Sequence, residues 1–302
     1  MSEPSHPTAA HAPTHQSQVL GESAAQEVQV PLVVRIKLAH GAVDHVLEEA
    51  GIRTLHFKGY AATEIFPADR ASSDVDVIVD PAQAQRSLEA LTAHGWTLVT
   101  NYAEGSIFRH AAALWHNHLG YVDVHRWVPG FTAPPDLVFD RLWSKHTSLD
   151  IAHWGCPVPA RLDHVMLALL HAARDPNRGA HEAQTLWSGL SSAQRDELRS
   201  SVKDLGAEVA WFVATGEDLG ADRDQAKVWS AIQDGSDRSE LLSARLHAAR
   251  GTRQKARLMG GALILNRSHL QIALGRKPGL LDYAQEYRVR IRSVLRHLRA
   301  RS

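Results

Sequence analysis

One cysteine, Cys156, occurs in 302 residues. A lone cysteine excludes an internal disulfide framework and fits a reducing compartment, so a cytoplasmic protein is expected. Between Gly155 and Pro157 it reads as a turn or strand-end residue, with little support as a catalytic thiol. Long apolar runs are also missing. No stretch approaches the length of a transmembrane helix, and Met1-Ser2-Glu3-Pro4 lacks the basic and apolar regions of a secretion signal. Net charge is absent too: 33 Lys and Arg balance 33 Asp and Glu, so bulk charge argues neither for nor against a nucleic-acid partner. Large apolar groups hardly occur before Val19. Residues 1–28, rich in Ser, Pro, Ala, His and Gln, cannot offset the cost of ordering by burial and are expected to be a disordered tail.

What the chain does contain is a pair of carboxylates in a β-branched run, Ser73-Asp74-Val75-Asp76-Val77-Ile78-Val79. Strand periodicity puts Asp74 and Asp76 on one face and Val75, Val77 and Val79 on the other, toward a core. A third carboxylate, Asp123, lies in a second run, Tyr121-Val122-Asp123-Val124-His125. Folding gains nothing from like charges so close together. A divalent cation removes the conflict, and hard oxygen ligands suit Mg²⁺, with Mn²⁺ as a substitute.

Upstream, Thr54-Leu55-His56-Phe57 reads as a short strand. Lys58-Gly59 and a helix-like stretch through Ala61, Ala62, Ile65 and Phe66 follow it. Such a junction lets backbone N–H groups approach an anion, and Lys58 adds a mobile positive charge. Arg70 offers a second, forked phosphate contact. Each feature alone has a plain reading: a turn at Gly59, solvated charges at Lys58 and Arg70, solvated strand-end acids. Their order along the chain favours a nucleotide-phosphate and metal site.

Lys58-Gly59, then Arg70-Ala71-Ser72-Ser73-Asp74-Val75-Asp76, then Val122-Asp123-Val124-His125, resembles the uncharacterised nucleotidyltransferase family of the polymerase-β-like superfamily. The resemblance is diagnostic over residues 54–127. It implies an α+β fold with a mixed sheet flanked by helices, two Mg²⁺ ions held by Asp74, Asp76 and Asp123, and transfer of a nucleoside monophosphate from an NTP, ATP by default, to an acceptor hydroxyl. Lys58 and Gly59, with Arg70, Ser72 and Ser73, would hold the triphosphate. Tyr60 and His125 are secondary candidates. Asp163 to Ala173 is similar to the leucine-rich, histidine-ending helix such proteins carry behind the sheet. The chain departs from the wider pattern in having Tyr60 where a small residue usually follows the glycine, and in a longer interval from Gly59 to Asp74. No acidic segment is recognisable in residues 181–190.

Helical spacing of Val33, Ile36, Leu38, Val43, Val46 and Leu47 predicts a helix over residues 31–51. Asp80-Pro81 marks a helix start with Asp80 as its cap, ending near Gly95. Strands are expected over 97–102 and 107–115, and Trp127 is expected to pack. From Pro134 the pattern is mainly helical, with a short strand near 147–153 and periodic segments at 162–173, 198–212 and 253–274. The last is interrupted by Gly260-Gly261, which suggests a close helix contact. The expected division is a tail at 1–28, a catalytic domain at 29–133 and a helical domain at 134–302, with the active site between the two domains.

The C-terminal stretch carries basic residues from Arg253 to Arg301 against only Asp282 and Glu286. Such a helix can bind RNA, an acidic partner or an anionic membrane surface, or lie across the acidic body of its own protein with Val289, Val294, Leu295 and Leu298 inward; the last reading is favoured. The leading functional reading is NMP transfer to a small molecule or peptide. Two readings stand beside it: the same chemistry on tRNA or protein, and an idle nucleotide- or partner-binding scaffold.

Overall fold

The computed structural model describes residues 30–66, 72–103, 108–175, 177, 179–236, 238–249, 251–263, 270, 274 and 276–299. Arg70 lies outside them, as do the side chains of Val294, Leu295 and Leu298.

Helix α1 (Leu32–Glu49) follows Pro31 and buries Ile36, Val43, Val46 and Leu47, while Val33 and Leu38 of its expected apolar set are exposed. Strand β1 (Thr54–His56) leads into a short 3-10 turn, Gly59–Ala62, in place of the helix expected there. Strand β2 (Asp74–Val79) is followed by a 3-10 turn at Pro81–Gln83, capped by the Asp80 side chain accepting from the Ala82 N–H, and by α2 (Ala84–Ala93). Strands β3 (Thr97–Thr100), β4 (Ala111–His116) and β5 (Gly120–His125) complete a five-stranded mixed sheet of order β1-β2-β5-β4-β3. Only the β2–β5 pairing is parallel.

Val75, Val77, Val79, Val122 and Val124 form one face of the sheet and pack with Ile36, Val43, Leu47 and Leu88 of α1 and α2. That layer is the valine core which the alternation predicted. The opposite face carries Asp74, Asp76 and Asp123, and below them Leu55, Phe57 and Ile78, which share a second core with the helices. Those helices are α3 (Pro135–Ser144), α4 (Arg161–Ala172), α5 (Gly179–Ser188), α6 (Ser192–Leu205) and α7 (Glu208–Thr215), followed by α8 (Arg223–Gln233), α9 (Arg238–Ala248), α10 (Thr252–Leu263) and α11 (Leu280–Arg299).

Four expectations change. The strand near residue 150 is half of a hairpin, β6 (Thr147–Ile151) with β7 (Trp154–Val158), and Cys156 sits within β7, not at a turn. The periodic segment 198–212 is two helices, because Gly206 adopts φ 64 and ends α6. At Gly260 α10 continues unbroken, and an added Cβ there would meet nothing within 4 Å among the described residues, so none of them makes a close contact that requires the glycine. Helix α11 packs on α9 and α10 and leaves Val289 exposed, not inward.

Candidate active site

Alternation along β2 sets Asp74 and Asp76 on the same face, as the sequence implied. Parallel pairing with β5 makes Asp123 the direct neighbour of Asp76 across the strands. Asp76 is buried, at 6% exposure, while Asp74 and Asp123 are half-buried. Ligand atoms of Asp76, Asp123 and His125 all lie within 4.8 Å of one another.

The Asp76 carboxylate is already engaged. Lys58 Nζ donates to its Oδ1 at 2.6 Å, and His125 Nε2 donates to the same oxygen at 2.9 Å. A carboxylate oxygen only accepts, so His125 carries its proton on Nε2; its buried Nδ1 then has no partner among the described residues. Burial opposes ionisation of Asp76, but the Lys58 ammonium and the His125 hydrogen bond outweigh it and hold the group well below the usual carboxylate range. The same burial, with the neighbouring Asp76 charge, pushes Asp123 up to about 7. Asp74 is also raised, by burial and then by Asp76. Burial lowers His125 to about 4 despite its bond to Asp76, so it is neutral at pH 7. A carboxylate held charged raises the proton affinity of the acids beside it, the mark of carboxylates crowded together without a cation to neutralise them all. The donor set therefore fits a hard divalent cation: oxygen ligands from two adjacent strands and a mutual repulsion that such an ion removes.

Gly59 supplies the backbone that places Lys58. Its φ is +55, and an added Cβ would fall 2.3 Å from Ser72 Oγ. Ser72 in turn donates to the Asp74 carbonyl at 2.9 Å, and Ser73 donates to Asp74 Oδ1 at 3.2 Å. Both serines thus brace the Asp74 segment. Tyr60 is not brought to the site. It is buried in the valine core on the far face, with Lys37 Nζ 5.3 Å from its ring.

Other residues near this face were not singled out from sequence. His171 near the end of α4 and Glu182 of α5 line a small cavity with Phe57, Lys58 and Gly59. Arg174 follows α4 with its guanidinium 5.8 Å from the Phe108 ring, and its buried Nε has no partner among the described residues. Burial lowers Arg174 to about 10, and Asp76 partly offsets that. His110 stacks at a tilt against His125, ring centroids 5.0 Å apart, and is also lowered by burial. Only His171 had a signal in the sequence, as the histidine ending the leucine-rich helix. Trp127 packs, as expected: it lies under the Arg126 guanidinium at 4.3 Å and lines an apolar cavity of about 310 Å³ with Phe131, Phe139 and Leu142.

No curated protein matches the chain significantly. Among solved structures, the lincosamide antibiotic adenylyltransferase LnuA, lincomycin-bound, is 16% identical, over 50% of this chain and 96% of its own, with a TM-score of 0.36. The antibiotic-resistance factor ANT(2'')-Ia is 12% identical over 58% and 94%, with a TM-score of 0.40. A tRNA nucleotidyltransferase complexed with a primer tRNA and an incoming ATP analog is 17% identical over 82% and 74%, at 0.32. Likenesses this distant say nothing of substrate. The family model described as uncharacterised nucleotidyltransferase matches residues 37–187, half of the chain. The chain belongs to that family, and its fold is α+β, a five-stranded mixed sheet with helices packed on it.

Proposed function

We propose that this chain moves a nucleoside monophosphate from an NTP, ATP by default, to a hydroxyl of a small molecule or peptide and releases pyrophosphate. The observation that carries the reading is the pairing of Asp76 with Asp123 on neighbouring strands, with Lys58 held on Asp76. Asp74, Asp76 and Asp123 would hold Mg²⁺, or Mn²⁺ in its place. Bound Mg²⁺ would neutralise the triphosphate and lower the pKa of the acceptor hydroxyl.

The chain's own residues do the rest. Lys58 exchanges its Asp76 contact for a phosphate oxygen, and Gly59 lets backbone approach the triphosphate. Arg174 adds a second cation on the same side. Asp123 receives the proton of the acceptor hydroxyl. A bond forms from that oxygen to the α-phosphorus, the α–β phosphoanhydride bond breaks, and pyrophosphate carries away the electron pair. Alignment and charge neutralisation suffice, with no covalent enzyme intermediate. A tRNA or protein acceptor is the second reading, favoured by the arginine-rich helix α11 with its exposed Tyr287, Val289 and Ile291.

Incubation with α- or γ-labelled NTP, Mg²⁺ and a cell extract tests the proposal. The α-label should appear on an acceptor and the γ-label in pyrophosphate. Transfer of γ-label to any acceptor overturns the reaction class. Asp74→Asn and Asp76→Asn should each abolish both signals in folded protein.

A further inference from the structure

On the face of the sheet that turns away from the carboxylates, a second polar cluster is buried. His56 of β1 pairs in register with Val77, so its side chain enters the layer under α1. There its Nδ1 lies 2.9 Å from His40 Nδ1, and its Nε2 lies 3.3 Å from Asp44 Oδ1. The other oxygen of Asp44 accepts from Trp154 Nε1 at 2.9 Å. Two residues along β7, the thiol of Cys156 faces the same carboxylate, and one donor atom each of Asp44, His56 and Cys156 lies within 4.8 Å of the others. Cys156, His56 and His40 are wholly enclosed, and Asp44 is nearly so.

We propose that Asp44 on α1, His56 on β1 and Cys156 on β7 form a second metal site that takes a zinc-class ion. Only one proton fits between the two facing Nδ1 atoms. When His56 donates it to His40, His56 Nε2 is left as a lone pair directed at a carboxylate and a thiol, three donors with no cation among them. That is the arrangement of a metal-bound imidazole, one nitrogen on the ion and the opposite N–H given to an outer partner. His40 Nε2 is buried without a partner among the described residues, so this pocket spends polar groups that packing alone does not use. Oxygen, nitrogen and sulfur donors together select zinc over magnesium, which separates this site from the all-carboxylate pairing on the front face.

Binding expels the Cys156 thiol proton to solvent, and the three donors leave one coordination position for water. An ion here ties three segments far apart in sequence: α1, the edge strand β1 and the β6–β7 hairpin. Strand β1 ends two residues before Lys58, so the ion would also steady the segment that carries the active-site lysine. The role is structural, and it does not depend on the proposed transfer reaction.

Expression of the full chain in cobalt-supplemented medium tests the site, since the donors are enclosed and are best filled during folding. Cys156 is the sole cysteine, so a near-ultraviolet thiolate-to-cobalt band reports this site alone and is blind to the histidines of residues 1–28. The expected result is stoichiometric cobalt with that band, retained in Asp76→Asn and Asp123→Asn and lost in Cys156→Ala. Asp44→Asn should weaken the metal at least tenfold. Zinc-supplemented wild type should melt higher than chelator-grown wild type, and Cys156→Ala should melt alike in both. Folded, cobalt-grown protein without the band overturns the site, leaving His56 Nε2–H bonded to Asp44 beside an inert thiol. Equal zinc content in wild type and Cys156→Ala overturns it as well.

Discussion

Lys58 Nζ sits 2.6 Å from Asp76 Oδ1, so the ammonium expected to hold phosphate is held by the carboxylate expected to hold metal. Asp76 is buried, and an unpaired charge there would be costly, so in the absence of nucleotide Lys58 acts as its counter-ion. Removing the lysine should then have opposite effects on two ligands. Lys58→Ala should weaken NTP binding by about 1.5–3 kcal/mol, the worth of a charge-assisted contact, or roughly ten- to hundredfold in Kd. It should strengthen Mg²⁺ binding without nucleotide, because Asp76 loses the ammonium that competes with the ion for its Oδ1. Calorimetric titration with Mg²⁺ alone and with NTP measures both. Unchanged NTP affinity would make Lys58 a structural counter-ion and nothing more.

Metal should stabilise the fold through the same carboxylates. Asp74 and Asp123 are both raised by burial and by Asp76, which means the metal-free native state carries electrostatic strain. Mg²⁺ or Mn²⁺ should raise the melting temperature, and an NTP should add to the rise, by the linkage of binding to the folded state. No shift at millimolar ligand in any combination would count against a cation on Asp74, Asp76 and Asp123.

Gly59 and Ser72 should be energetically coupled. A residue with a Cβ at φ +55 costs about 1–2 kcal/mol, and here the Cβ also falls 2.3 Å from Ser72 Oγ. Gly59→Ala should therefore destabilise the protein and loosen NTP binding. Adding Ser72→Gly should recover the steric part and leave the backbone part, a coupling readable in a double-mutant cycle of chemical denaturation. A wild-type midpoint for Gly59→Ala alone would show that the loop relaxes freely.

The front of the site was legible because strand alternation is a local rule. Asp74, Asp76 and the valines between them fall on opposite faces wherever the strand goes, and the Val75–Val79 core followed. What periodicity could not give is which strand lies beside which. The parallel β2–β5 pairing, with Asp123 directly across from Asp76, joins residues 47 positions apart; the family resemblance implied a mixed sheet and a shared role for the three acids, but not this pairing or its register. Tyr60 failed for a related reason: the 3-10 turn at Gly59–Ala62 rotates it into the valine core, where a full helix was expected. Arg174, His110 and Glu182 carry no local signal at all. Packing of α4 and α5 brings Arg174 and Glu182 to this face, and His110 reaches it from the start of β4, against His125. Cys156 read as a turn residue because Gly155 and Pro157 flank it, yet a two-stranded hairpin tolerates both.

The raised Asp123 gives the last prediction its sign. Its folded value is about 7, against an ordinary carboxyl near 3.8 in the unfolded chain. Between those values the native state keeps a proton that the unfolded state has lost. Its stabilising contribution is thus complete below about pH 4 and disappears as pH rises toward 7. Buried His125 and His164, both lowered to about 4, act in the opposite sense: the unfolded chain binds their protons first, so they favour the fold as pH rises over a similar window. Total stability mixes these slopes, and the difference between wild type and Asp123→Asn isolates the carboxyl. In chelator, wild-type stability minus that of Asp123→Asn should fall steadily from pH 5 to pH 7. Saturating Mg²⁺ should flatten the difference, since the ion takes the place of the proton, and Mg²⁺ affinity itself should rise across the same range. Urea denaturation at four pH values, with and without Mg²⁺, supplies both curves. A difference independent of pH in chelator would mean that Asp123 is ionised without a counter-ion, and that the crowding of carboxylates is relieved by something other than a proton.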